Sequence, residues 1–201
     1  MPGLLTEPLH GAIAKLLLIY APCVFAAWLG GLAAMLASVR FLASRDFRFD
    51  SWAVAATEVG LTFLGASLAV GVVWDRVNSG RWWNWDAPLT AAMACWLVYA
   101  GYLMLRRAIE EPSQRAIFSA VFSVLAFLDI PVTSLAVKWW TAEHPAPVLW
   151  EDLKVPPDWW TVLALNAAGI VLLGAALVTV RMRQEEEQRE LDSLRRTLHA
   201  F

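Results

Sequence analysis

Residues 16–39, LLLIYAPCVFAAWLGGLAAMLASV, run for 24 positions without one charged side chain. A hydrocarbon core about 30 Å thick takes roughly 20 apolar residues of helix to cross, so this stretch reads as a membrane span. It is too long for the apolar region of a signal peptide and no basic segment leads into it, so it is expected to be retained. Four more runs of the same kind follow: 52–74 with a single charge at Glu58, 87–105 with none, 116–137 with one at Asp129, and 159–180 with none. The five runs hold 110 of the 201 residues. The expected fold is therefore an all-α integral membrane protein, a bundle of about five transmembrane helices with two Trp-rich outer loops and a cytoplasmic C-terminal helix. One transmembrane domain is expected over residues 1–182, with an amphipathic tail over 183–201.

Composition points the same way. Hydrophobic residues make up 59% of the chain and charged ones 17%, against about 25% charged in a soluble domain, and the mean hydropathy is +0.52. A net charge of −2 gives no footing for nucleic acid. Cys23 and Cys95 lie in separate apolar runs with no CxxC pattern, which excludes a disulfide scaffold, a thiol redox motif and covalent c-type haem attachment.

Lys and Arg in the connections set the orientation. Arg40, Arg45, Arg48, Arg106, Arg107, Arg115, Arg181, Arg183, Arg189, Arg195 and Arg196 fall on one side; Lys15, Arg76, Arg81, Lys138 and Lys154 fall on the other. The richer side is expected in the cytoplasm, which puts the N-terminus and the loops 75–86 and 138–158 outside and the C-terminus inside. In the tail, Leu191, Leu194, Leu198 and Phe201 form one apolar stripe on a helix, suited to a membrane surface or a docking partner. The acidic run 185–187 reads as a solvated face.

The 12 tryptophans are unevenly placed. An anchoring belt puts Trp at both interfaces, yet Trp74, Trp82, Trp83, Trp85, Trp139, Trp140, Trp150, Trp159 and Trp160 all lie at or beyond outer helix ends. Only Trp52 lies at the inner face, while Trp28 and Trp96 are within spans. The imbalance points to an outer binding surface. Its densest part is residues 80–86, GRWWNWD, where Trp82, Trp83 and Trp85 offer flat, rigid apolar faces suited to a flat aromatic ligand. Asp86, followed by Ala87 and Pro88, fits a helix N-cap, a role compatible with ordering the loop. Arg81 and Arg76 flank the platform and suit carboxylates. In the second outer loop His144 follows Trp139 and Trp140, and an imidazole beside a flat-ligand platform suggests an axial haem ligand. His10 and His199 have weaker claims. Glu58 and Asp129 are costly inside spans; hydrogen-bonding roles are expected for both, Asp129 beside the backbone that Pro131 disrupts.

The pattern Gly80-x-Trp82-Trp83-x-Trp85-Asp86-x-x-Leu89-Thr90 resembles the WWD signature of the cytochrome c assembly family, and within it the haem exporter protein C (CcmC) branch. Pro131, Trp139, Trp140 and His144 follow at spacings like those of that family's next helix and second haem-ligand loop. Tyr20-Ala21-Pro22 is similar to the segment where the family has a histidine two residues before a proline; Tyr20 stands in its place. Ser79 stands where a Trp often precedes the glycine, and the six-span pattern has one more N-terminal span. The resemblance implies haem b bound in transit, without a covalent bond, by His144 and Tyr20 as iron ligands. Trp82, Trp83, Trp85, Asp86, Trp139, Trp140 and Arg81 would line the site. It also implies delivery to a CcmE-like haem chaperone in partnership with CcmA/CcmB ABC-transporter subunits and a CcmD-like small subunit, in the cytoplasmic (inner) membrane and in contact with its lipid. No catalysis is expected. A CcsA-like assembly branch and a structural subunit without tight haem binding are the alternatives. The oligosaccharyltransferases, which also carry a WWD signature, have large soluble domains that the outer loops here are too short to provide.

Overall fold

The computed structural model describes residues 8–140 and 157–199, and these form five helices: α1 (Pro8–Ser44), α2 (Phe47–Ser79), α3 (Ala87–Ala108), α4 (Pro112–Trp140) and α5 (Pro157–His199). No strand occurs among the described residues. All five are long and apolar enough to cross a membrane, as the five apolar runs required. A backbone in hydrocarbon must satisfy its own polar groups, and a helix does so within the segment.

The helices overrun the apolar stretches because polar residues cap them beyond the hydrocarbon. Asp46 caps α2 by accepting from the Arg48 N–H at 3.0 Å. Glu111 accepts from the Ser113 and Gln114 amides at the start of α4. Arg45 closes α1 in the left-handed region (φ 58°), its N–H donating to the Phe41 carbonyl at 2.7 Å.

Contacts run α1–α2, α2–α3, α3–α4 and α4–α1, closing a four-helix ring, and α5 lies outside the α1–α2 pair. The α1–α2 seam is the most extensive, and small residues are buried on both helices: Ala26, Ala27, Ala34 and Ser38 on α1, and Ala53, Ala56 and Ser67 on α2. At the crossing a Cβ on Gly30 would lie 2.9 Å from the Gly60 Cα and 3.1 Å from the Ala56 carbonyl oxygen. Lipid tails are as apolar as any side chain, so helices in a bilayer associate through this close backbone approach. Two of the buried hydroxyls bond back along their own helix, Thr57 to the Ala53 carbonyl at 2.9 Å and Ser67 to the Leu64 carbonyl at 2.8 Å. The main core gathers Ala27, Leu64, Cys95, Tyr99 and Ala126, with Trp96, Phe122 and Ile130 packed around it. α5 packs along one edge only and keeps Leu165 and Leu172 about 70% exposed.

One reading of the tail is corrected. Glu185 is not on a solvated face: its side chain is 13% exposed and accepts from Arg106 at 2.9 Å. Arg106 also holds Asp50 bidentately at 2.8 and 2.7 Å, and Arg189 pairs with Asp50 as well. Four charges from α2, α3 and α5 thus neutralise one another where the chain's Arg-rich ends meet. α5 runs through residues 182 and 183 without a break, because these pairs and the Arg181–Glu58 bridge tie it to α2. Glu58 lies mid-helix and meets a cation rather than a hydroxyl; Thr62 instead bonds the Glu58 backbone carbonyl.

Candidate functional site

The tryptophan loop sits between α2 and α3 and is shorter than the sequence suggests, because α2 continues to Ser79. Gly80 adopts φ 77° and its N–H donates to the Arg76 carbonyl at 3.1 Å. That left-handed conformation favours glycine and turns the chain sharply off the helix. At the far end Asp86 is the N-cap of α3, its side chain accepting from the Leu89 N–H at 3.2 Å, with Pro88 in the first turn. The loop is therefore pinned at both ends by helix-capping chemistry.

Between these pins the three tryptophans diverge. Trp82 is 62% exposed and Trp85 72%, far more than a core aromatic. Trp83 is half-buried and meets Trp85 edge to face, ring centroids 5.8 Å apart. The guanidinium of Arg76 lies 5.4 Å from the Trp82 ring centre, a cation–π contact, and donates to the Gly80 carbonyl. Arg81 is exposed. A residue that sequence reasoning missed organises the middle: Asp75, in the last turn of α2, accepts from the Asn84 backbone N–H at 2.7 Å and from the Asn84 side-chain amide at 3.1 Å. The arrangement presents two flat apolar faces and two cations on a backbone tied to its helices. A planar, apolar ligand with carboxylate edges matches that chemistry.

Tyr20 is brought to the same place. A Cβ added to Gly71 would lie 3.7 Å from Tyr20 Cε2 and 3.2 Å from Leu89 Cδ1, so the Tyr20 ring fills the seam of α1, α2 and α3. Its phenol is within electrostatic reach of Asp86. The structure thus joins Tyr20 to the loop's C-terminal pin, across more than sixty residues of sequence. Trp139 and Trp140 end α4, and α5 begins at Pro157. His144 lies outside the described residues, as does Trp150. Among the described residues no group of three or more His, Cys, Asp or Glu side chains is placed to hold a metal ion.

Of the two acids inside spans, Asp129 lies within electrostatic reach of Cys95 across the α3–α4 contact, and its Oδ2 is buried. Tyr99 lies beside them in the core.

Comparison with known proteins gives a consistent result. The sequence profile of the family described as "Heme exporter protein C" matches residues 6–197. Proteins of that name are similar over most of the chain. The one from Bradyrhizobium diazoefficiens is 30% identical over 187 residues, covering 92% of this chain and 71% of its own length. That from Rhodobacter capsulatus is 28% identical, covering 92% and 77%. That from Escherichia coli K12 is 26% identical, covering 83% and 68%.

Proposed function

The chain belongs to the haem exporter protein C family, and from that premise we propose that it presents haem at the outer face of the cytoplasmic membrane and hands it to a haem chaperone. In coarser terms it is a haem-handling membrane subunit of cytochrome c maturation, part of a transport complex rather than an enzyme.

The observation that carries the finer reading is the exposure of Trp82 and Trp85 on a loop anchored by both flanking helices. A solvent- or interface-exposed indole pair is costly to leave uncovered, and a porphyrin face covers it by stacking. Arg76 and Arg81 flank the platform and are the cations that the propionates of haem b would meet. Haem is cargo here: the iron is to be held by His144 from the second outer loop and by Tyr20, which supplies a phenolate in place of an imidazole. Trp83, Trp139 and Trp140 complete the apolar wall, and Asp86 orders the loop as its cap. The protein's part is to stack, orient and ligate, with no covalent bond to the cofactor.

Orientation follows the positive-inside count, N-terminus outside and C-terminus inside. A CcmE-like chaperone then meets the loop from the periplasm. CcmA/CcmB-like transporter subunits and a CcmD-like small subunit are the partners within the membrane complex. The test is haem content and transfer of a variant with Trp82, Trp83 and Trp85 all replaced by alanine. Membrane insertion is expected to persist because the spans are untouched, while bound haem and its transfer fall. Unchanged haem content and transfer return the three tryptophans to an anchoring role.

A further inference from the structure

We infer that Asp75 is a positioning residue for the tryptophan loop, holding Asn84 so that the indoles on either side are presented in fixed directions. Both carboxylate oxygens are engaged by one residue: Oδ2 accepts from the Asn84 backbone N–H at 2.7 Å and Oδ1 from its side-chain NH2 at 3.1 Å. Asn84 is the only residue between Trp83 and Trp85. Fixing its backbone and its side chain together sets the peptide planes that aim both rings, Trp83 inward and Trp85 out, in the edge-to-face pair.

The neighbouring residue completes the device. Arg76 donates to the Gly80 carbonyl and lies over Trp82, so one turn at the end of α2 grips the loop at its start and at its middle. Asp86 grips it at its end. Charge-assisted hydrogen bonds to a carboxylate are about twice as strong as neutral ones, and an amide N–H and a carboxamide offered together match a carboxylate's two oxygens. A short loop held in its binding conformation loses less entropy when it takes up a ligand. Asp75 therefore acts through Asn84 on ligand affinity without touching the ligand. The consequence for haem rests on the function proposed above; the consequence for loop order does not.

The experiment uses the full chain in detergent, with Asp75→Ala, Asn84→Ala and the reciprocal pair D75N/N84D. In the reciprocal pair the amide oxygen introduced at position 75 accepts the backbone N–H of residue 84, and its NH2 donates to the carboxylate introduced there, so both bonds survive and only the side-chain one exchanges donor and acceptor. Amide hydrogen exchange over residues 80–86 is measured without haem, and haem b is then titrated by its Soret absorbance. Asp75→Ala and Asn84→Ala are each expected to speed loop exchange and weaken haem binding about tenfold, the size of losing a hydrogen bond to a charged group. D75N/N84D is expected to restore both. Loop exchange unchanged in both alanine variants overturns the inference, as does faster exchange with an unaltered haem titration, or a folded reciprocal variant that rescues neither. A parent chain that fails to bind haem at all refutes the proposed function instead, and the exchange data alone then decide whether Asp75 holds the loop.

Discussion

Removing Arg106 tests the ion network at the Arg-rich end of the bundle, where the structure allows the cost to be ranked residue by residue. The side chains of Arg106 and Asp50 are 7% and 3% exposed, so neither charge is rescued by water. Arg106→Ala leaves the Asp50 carboxylate with Arg189 alone, and it strips Glu185 of its 2.9 Å partner. Breaking a buried pair by deleting one partner costs about 3–5 kcal/mol. Asp50→Ala is expected to cost as much, because Arg106 and Arg189 then face each other across Glu185 only. Glu185→Ala and Arg189→Ala touch the more open edge, 13% and 20% exposed, and each should cost about 1.5–3 kcal/mol, the scale of one hydrogen bond to a charged group. The assay is equilibrium unfolding in mixed micelles followed by helicity. D50A/R106A should cost less than its two parts added, with a coupling of about 1–3 kcal/mol. An Arg106→Ala variant within about 1 kcal/mol of the parent, or strict additivity in the cycle, refutes the reasoning.

Three further outcomes follow from the same structure. Gly30→Ala places a Cβ 2.9 Å from the Gly60 backbone, which cannot swing aside as a side chain does, and unfolding in micelles should show a loss of about 1–3 kcal/mol. Glu58→Ala removes the carboxylate that pairs with Arg181; a cysteine cross-link between α2 and α5 near these positions should then form less efficiently than in the parent, while α1–α2 cross-links stay unchanged. Reporter fusions after Arg45, after Glu110 and at the C-terminus should report cytoplasm, and fusions near Arg81 and Pro147 the outside. An outside signal after Glu110 contradicts the orientation.

What the sequence made legible was whatever depends on neighbours in the chain. The five spans follow from long apolar runs with at most one charge each, and the Asp86 cap followed by Pro88 is a local signal that the structure reproduces. Helix ends were less legible: α2 continues to Ser79 because Gly80, not the first charge at Asp75, is what turns the backbone. The pairs Asp50–Arg106, Glu58–Arg181 and Asp50–Arg189 were invisible because their partners are 56, 123 and 139 residues apart. Each arginine had been counted only as a cytoplasmic-side charge. Glu58 did carry a signal, since an acid inside a span calls for a partner, though nothing local named Arg181. Asp75 carried no signal of its own, and its link to Asn84 depends on the turn at Gly80. Tyr20 was picked out by likeness to a motif, and its closeness to Asp86 came only with the packing of α1 against α2 and α3.

The absorption spectrum of the detergent-purified chain, loaded with ferric haem b, tests the central claim most directly. The account predicts a Soret band that His144→Ala abolishes or strongly shifts, and a phenolate-to-iron charge-transfer band that disappears in Tyr20→Phe. It also predicts a low-spin, bis-histidine spectrum in Tyr20→His. A chain that shows no Soret band, or one whose spectrum neither His144→Ala nor Tyr20→Phe alters, contradicts it.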